Sequence, residues 1–245
     1  MKIIKHIPNA ITCCNLLSGC TSILLTHSGH LELAGLMIFM AAVFDFFDGF
    51  AARLLKAYSP LGAQLDSLAD VVSFGVAPSF IMFSYISRLQ LYSEIYTFRL
   101  LIAGVNVLPF LALFLAVFAA LRLAKFNIDD RQTTSFIGLP TPAMGIFVAS
   151  LPLALLNESF TLMKSLMSSP LFVCAIVVVF SYLMVSEIPF FSLKVKSLKF
   201  KDIKHIYVLA AFAVIAFVFL RLAAIPFVIL FYIVEAMFVK TTNEK

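Results

Sequence analysis

The chain has 245 residues, 62% of them apolar and 13% charged, with a mean hydropathy of +1.04 and a formal net charge of +5. A soluble domain carries about 25% charged residues and roughly 45–50% apolar ones. The composition therefore excludes an ordinary water-soluble globule, whose outside would have to be oily, and a disordered chain, which needs low hydrophobicity. Nor does the positive charge point to nucleic acid, because the basic residues lie in loops between apolar runs.

What remains is an all-α, polytopic helical membrane protein. In chain order the apolar runs predict about eight transmembrane helices, near 7–26, 32–55, 63–87, 99–121, 137–157, 170–191, 205–220 and 222–239. A span needs about 20 residues to cross ~30 Å of hydrocarbon. The last two runs are short and only Arg221 separates them, so a seven-span arrangement is the alternative, with one long tilted C-terminal helix or a hairpin that does not cross. The first run starts after Lys2 and Lys5, but Leu25-Thr26-His27-Ser28-Gly29 lacks a small-x-small cleavage pattern, so it reads as a retained helix. No tandem repeat, low-complexity tract or separable soluble domain is evident, and a single integral membrane domain over residues 1–245 is expected.

Charge gives the expected orientation. With a cytoplasmic N-terminus, only Arg88, Arg99, Lys164 and Arg221 of the 18 basic residues fall outside, and the other 14 fall inside, as the positive-inside rule requires. The basic loop Lys194–His205 then serves as a topology determinant that also attracts anionic headgroups. Cys13, Cys14, Cys20 and Cys174 lie in apolar helices and are expected to pack as small hydrophobes. The four His residues form no pair at metal-ligand spacing and are assigned no chemistry.

Of the seven Asp, four fall in one 26-residue window: Asp45, Asp48, Asp66 and Asp70. An ionised side chain at the bilayer centre costs at least ~2.5 kcal/mol, and neighbouring like charges make matters worse. Span formation asks for none of them, so cations are expected to offset the cost. Asp45, Asp48 and Ala52 share one helix face, and Gly62, Asp66 and Asp70 form a stripe on the next helix. Tyr58-Ser59-Pro60 marks the turn between, which makes the two helices antiparallel neighbours whose carboxylates meet near the membrane surface. Arg53 cannot neutralise four acids; one or two Mg²⁺ or Mn²⁺ ions can, since all-oxygen sites suit hard divalent cations. Gly49, Ala52 and Gly62 lack bulk, which suits either close helix packing or the approach of a flat ligand beside the acids.

Together these residues spell Asp45-x2-Asp48-Gly49-x2-Ala52-Arg53-x8-Gly62-x3-Asp66-x3-Asp70, which resembles, in every element and spacing, the signature of the CDP-alcohol phosphatidyltransferase family. Ile7-Pro8-Asn9, Asn15-Leu16-Leu17-Ser18-Gly19, the run Asp66–Pro78, Leu121–Asn127 and Gly138-Leu139-Pro140-Thr141-Pro142 resemble its bacterial membrane-integral CDP-diacylglycerol–serine O-phosphatidyltransferase branch. The likeness covers residues 7 to about 145, and the C-terminal helices only by hydropathy. It implies transfer of a phosphatidyl group from CDP-diacylglycerol to L-serine with release of CMP, in the bacterial inner membrane with the site facing the cytoplasm. It implies Asp45, Asp48 and Asp66 as metal ligands, Asp70 joining the cluster as general base, and Gly49, Ala52, Arg53 and Gly62 around the CMP portion. It also implies a homodimer.

Discrimination for serine requires a group that reads its carboxylate or ammonium. Arg122, Lys125 and Arg131, expected together at the cytoplasmic end of the fourth span, are candidates for the serine carboxylate or for lipid phosphate, against simple snorkelling at the membrane face. Asn9 and Asn15, polar within a span, are expected to make polar contacts near the pocket or packing hydrogen bonds. The competing readings are a phosphatidylglycerophosphate synthase, whose dianionic acceptor demands more cations; an ion or proton-coupled transporter, which would spread its acids through several spans; and an intramembrane prenyltransferase, which would need a second acid-rich motif.

Overall fold

The computed structural model describes residues 6–92, 101–102, 105–129, 135–156, 160–191 and 200–238. It is a helical bundle. Helix α1 (Ile7–His27) turns through Gly29, at φ 91°, into α2 (Leu31–Leu54). Helix α3 (Pro60–Asp70) starts at an N-cap, the Ser59 hydroxyl accepting from the Gly62 N–H, with Pro60 in the first turn where its missing donor costs nothing. It runs on through a π-helical turn, Val71–Val76, into α4 (Ala77–Tyr92). A two-residue ladder, β1 (Leu101–Ile102) with β2 (Val105–Asn106), precedes a 3₁₀ turn at Leu108–Leu113 and α5 (Phe114–Ile128). Then come β3 (Ser135–Ile137), α6 (Thr141–Leu155), the short α7 (Thr161–Met167), α8 (Pro170–Val185), β4 (Pro189–Phe191), α9 (Phe200–Leu220) and α10 (Ala224–Phe238). Strands β3 and β4 pair antiparallel and tie the α5–α6 connection to the segment after α8.

Helix α6 and the π turn hold the centre: Met144, Val148, Ala149 and Phe74 are fully buried, and Phe147 stacks on Phe180 of α8 at 4.3 Å. The outside is as apolar as the inside, with Leu17, Val218 and Phe219 each more than 60% exposed, which fits lipid rather than water as the surrounding solvent. Ile7–His27, Leu31–Leu54, Pro60–Leu89, Leu108–Ile128 and Lys204–Phe238 are long and apolar enough to cross a membrane, and Thr141–Leu155 and Pro170–Val185 are shorter apolar helices.

Two expectations change in detail, and one alternative falls away. The fourth span, read at 99–121, begins instead at Leu108, because residues 101–102 and 105–106 pair as the β1–β2 ladder and Pro109 suits a helix start. It therefore ends at Ile128 and takes Arg122 and Lys125 into the helix rather than the loop after it. The last apolar run is not one long rod. Arg221, at φ 53°, reverses the chain, Phe212 stacks on Phe231 at 4.2 Å and His205 Nδ1 lies 3.3 Å from Glu235 Oε1. A straight helix would hold residues 30 apart about 45 Å from each other. Of the cysteines, Cys174 is buried as expected, but Cys13, Cys14 and Cys20 lie on the exposed face of α1. In a membrane the outer face is apolar too, so a small apolar side chain has no reason to turn inward.

The inward face of α1 carries instead Thr12, Asn15, Ser18, Gly19, Ser22 and Thr26. Gly19 seats this face against the π turn: an added Cβ would sit 2.8 Å from the Ser73 Cα, a backbone atom that cannot swing aside. Gly19→Val is expected to lower stability by about 1–3 kcal/mol through overpacking. The thermal midpoint in detergent checks this, with Gly49→Ala as the contrast, since a Cβ there meets nothing within 4 Å and the midpoint is expected not to fall.

Candidate active site

The last turns of α2, the whole of the short α3 and the first turns of α1 converge at one end of the bundle. Asp45 and Asp48 come from α2, Asp66 and Asp70 from α3. One carboxylate oxygen each from Asp45, Asp48 and Asp66 lies within 4.8 Å of the others. Asp48 is 5% exposed, and the Thr12 hydroxyl donates to its Oδ2 at 2.7 Å, fixing its rotamer from the neighbouring helix. Asp70, 7% exposed, stands outside this close trio but within electrostatic reach of all three members. Asn15 Nδ2 donates to its Oδ1 at 3.2 Å, and the Ser73 hydroxyl donates to the Asn15 carbonyl at 3.0 Å, so α1 and the π turn together hold the carboxylate. π-helical turns recur at functional sites, and this one begins at the residue after Asp70.

Does the trio fit a metal? Three oxygen donors, all carboxylate, suit a hard divalent cation. Twice an Mg–O bond of ~2.1 Å is ~4.2 Å, so the three oxygens stand within a small side-chain movement of one coordination sphere. Without a cation, three carboxylates packed this closely and partly buried repel one another. The donor set therefore fits a divalent metal.

Beside the trio opens a cleft of about 190 Å³ walled by Pro8, Asn9, Thr12, Asp48, Gly49, Ala52, Ala57, Tyr58, Ser59, Gly62, Ala63 and Asp66. The two glycines act differently. At Gly62 a Cβ would press to 2.9 Å from Asn9 Oδ1 and close the cleft floor, whereas Gly49 faces open space. Gly49, Ala52 and Gly62 thus line the cavity. Arg53 does not: it is an exposed residue near the end of α2, one position past the wall.

The three basic candidates separate. Lys125 Nζ pairs with Glu187 Oε1 at 2.5 Å on the surface, with side chains 40% and 65% exposed. Arg131 lies outside the described residues. Arg122 is 6% exposed, its guanidinium over the rings of Phe126 at 5.1 Å and Phe136 at 5.6 Å. Its Nε and Nη2 have no hydrogen-bond partner among the described residues, and its charge faces Asp70 and Tyr232. Each buried donor left unmade costs roughly 1–3 kcal/mol, more on a charged group.

Residues missed from sequence complete the arrangement: Thr12 against Asp48, Ser73 behind Asn15, the Phe126 and Phe136 rings under Arg122, and Tyr232, 5% exposed, from α10. For α1 a signal existed, a stripe of polar residues and one glycine at positions 12, 15, 19, 22 and 26 with helical period. For Tyr232 none did, since it arrives from the far end of the chain.

A polytopic helical membrane protein that gathers a carboxylate trio beside a cleft lined with small residues is the class the fold and site define. The CDP-alcohol phosphatidyltransferase family model matches residues 5–180, and the chain belongs to that family. Among its relatives, the CDP-diacylglycerol–serine O-phosphatidyltransferase of Bacillus subtilis (strain 168) is 38% identical over 192 residues, which cover 76% of this chain and 90% of the relative. The enzyme of the same name from Helicobacter pylori (strain J99) is 36% identical over 143 residues, 58% of this chain and 54% of the relative. The archaetidylserine synthase of Methanothermobacter thermautotrophicus is 33% identical over 146 residues, 59% and 56% respectively. The chain thus spans nine-tenths of the first relative and about half of the other two.

Proposed function

We propose that this chain transfers the phosphatidyl group of CDP-diacylglycerol to the hydroxyl of L-serine, giving phosphatidylserine and CMP, at the cytoplasmic face of a bacterial inner membrane. The observation that carries the reading is the carboxylate trio, two of whose members line a glycine-walled cleft, with a separately held fourth carboxylate, Asp70, within electrostatic reach. The names of the relatives favour serine as the acceptor. The excess of basic loops on the side of residues 53, 56 and 194–204 favours the cytoplasmic orientation. The chain is read as one integral membrane domain over 1–245, and the family resemblance implies that it works as a homodimer.

The cleft takes the CMP portion, where the absence of side chains at Gly49 and Gly62 lets a flat base or ribose approach the backbone. Asp45, Asp48 and Asp66 hold Mg²⁺ or Mn²⁺, which when bound supplies positive charge against the pyrophosphate and the departing CMP. Asp70 accepts the serine hydroxyl proton as that oxygen bonds to the phosphorus bearing the diacylglycerol. The bond from that phosphorus to the oxygen shared with CMP breaks, and CMP leaves with the electron pair. Arg122 receives the serine carboxylate, the anion its buried donors lack. The acyl chains stay in lipid along the outer faces of the bundle while nucleotide and serine enter from water.

The test is CMP release by the purified chain in mixed micelles of CDP-diacylglycerol, with L-serine, glycerol 3-phosphate or inositol as acceptor, and with Mg²⁺, Mn²⁺ or chelator. Release with serine and a divalent ion, and background release otherwise, is expected. Release driven by glycerol 3-phosphate and not by serine would overturn the assignment in favour of a phosphatidylglycerophosphate synthase.

A further inference from the structure

Two buried side chains that act on Asp70, Asn15 by a hydrogen bond and Arg122 by its charge, carry hydrogen-bonding capacity that the described residues leave unused. Asn15 is fully buried, and its amide NH₂ is committed to Asp70. That commitment leaves Oδ1, an acceptor at the other corner of the same amide, with no partner among the described residues. Arg122 presents the opposite lack: Nε and Nη2, both donors on a cation, are buried without acceptors among the described residues. Native interiors leave only a few such groups per 100 residues, and these two, of opposite polarity, both act on the same carboxylate, one by a hydrogen bond and one by its charge, which points to a ligand that serves both.

The two needs define that molecule. Arg122 calls for an anion, and its planar fork suits a carboxylate. Asn15 Oδ1 calls for a donor, and beside the negative Asp70 a cationic donor is preferred. We propose that Asn15 and Arg122 form a clamp for a free amino acid at Asp70, with Asn15 Oδ1 accepting from the α-ammonium and Arg122 receiving the α-carboxylate. The clamp rests on the reading of this chain as a serine phosphatidyltransferase and assigns the residues that select serine. In serine the ammonium and the hydroxyl sit on adjacent carbons. Asn15 touches Asp70 through one corner of its amide and the ammonium through the other, which brings the hydroxyl to the Asp70 carboxylate.

Both members are preset by packing. The hydrogen bond to Asp70 fixes the Asn15 side chain, whose backbone carbonyl accepts from the Ser73 hydroxyl, and Phe126 and Phe136 fix the plane of Arg122. A preset acceptor and cation recognise by exclusion as well as attraction. Ethanolamine leaves Arg122 unpaired, 3-hydroxypropionate leaves Asn15 Oδ1 unpaired, and glycerol 3-phosphate satisfies the cation alone. Sites built around a particular polar group reject analogues lacking it by factors of roughly 10⁴–10⁵.

The experiment compares acceptors by CMP release. For the wild type, kcat/KM for L-serine is expected to exceed that for ethanolamine and for 3-hydroxypropionate by at least about 10³. Asn15→Leu is expected to shrink the serine to 3-hydroxypropionate ratio by about 100-fold while leaving the serine to ethanolamine ratio large, and Arg122→Met the reverse. Ratios matter because Asn15 also holds Asp70: a merely structural loss lowers turnover with every acceptor alike and leaves both ratios unmoved, and that result would overturn the clamp. A second arm needs no variant. L-Alanine, a zwitterion without the hydroxyl, is expected to compete with serine on the wild-type chain, whereas propionate and ethylamine at the same concentration do not; inhibition by either fragment equal to that by alanine would also overturn it. Failure of the underlying reading looks different, since the wild type would then release CMP with glycerol 3-phosphate and not with serine.

Discussion

Asp66→Asn is expected to lower CMP release at least about 10³-fold, to abolish tight Mn²⁺ binding, and yet to leave the apo protein as stable as the wild type or more so. The three effects have one cause. In the apo state the trio is a cost, because partly buried like charges within 4.8 Å repel one another; removing one charge relieves it. Bound to a divalent cation the same trio becomes a gain, worth about 2.7 kcal/mol of stability at a free ion concentration 100 times Kd. Each ~1.36 kcal/mol of lost transition-state stabilisation is a factor of ten in rate, so the loss of about 4 kcal/mol of charge stabilisation gives the stated fall. Thermal midpoints in detergent with and without Mn²⁺ read the linkage directly. The wild type should gain stability on adding Mn²⁺ and lose it on adding chelator, and Asp66→Asn should do neither. A variant that keeps both its metal-dependent midpoint and its turnover would remove Asp66 from the metal site.

The parts of this site legible in sequence are those governed by helical spacing. Asp45 to Asp48 and Asp66 to Asp70 share faces because of the period of the α-helix, and the turn at Tyr58-Ser59-Pro60 makes their helices neighbours; both follow from local rules. The small residues Gly49, Ala52 and Gly62 line the cleft for the same reason. Arg122 was misplaced because the start of its helix depends on the β1–β2 ladder, a feature that hydropathy does not register: residues 101–106 are as apolar as the helix that follows. Shifting that start shifts the end and buries Arg122 in the helix. The cysteines misled for a related reason. In water an apolar side chain turns inward, but in a bilayer polarity is what turns inward, and on α1 it is Thr12, Asn15 and Ser22 that face the protein. Read as an inverted amphipathic helix, α1 would have announced its contacts with Asp48 and Asp70. The C-terminal hairpin was open because Arg221 marks a break without saying which way the chain turns; the contacts between His205 and Glu235 and between Phe212 and Phe231 are long-range, and no local pattern specifies them.

Asp70→Asn is the sharper test of mechanism, since it separates the work of the fourth carboxylate from that of the trio. Asp70 is held by Asn15 and stands outside the group whose oxygens lie within 4.8 Å of one another. A general base contributes typically 10²–10⁴-fold, so turnover with serine is expected to fall by that amount while Mn²⁺ still raises the thermal midpoint. Asparagine keeps the shape and the acceptor oxygen that Asn15 Nδ2 needs, so the Asn15 contact survives and only the proton-accepting charge is lost. The metal response is what makes the result interpretable. Near-normal turnover with the metal response intact would show that the serine hydroxyl gives its proton elsewhere. Loss of the metal response would make Asp70 a ligand on equal terms with the trio, and its separate place beside Asn15 would then belong to the metal-free arrangement alone. Retained metal response with lost turnover is the expected outcome, because Asp70 stands outside the trio and its charge serves the serine hydroxyl rather than the metal.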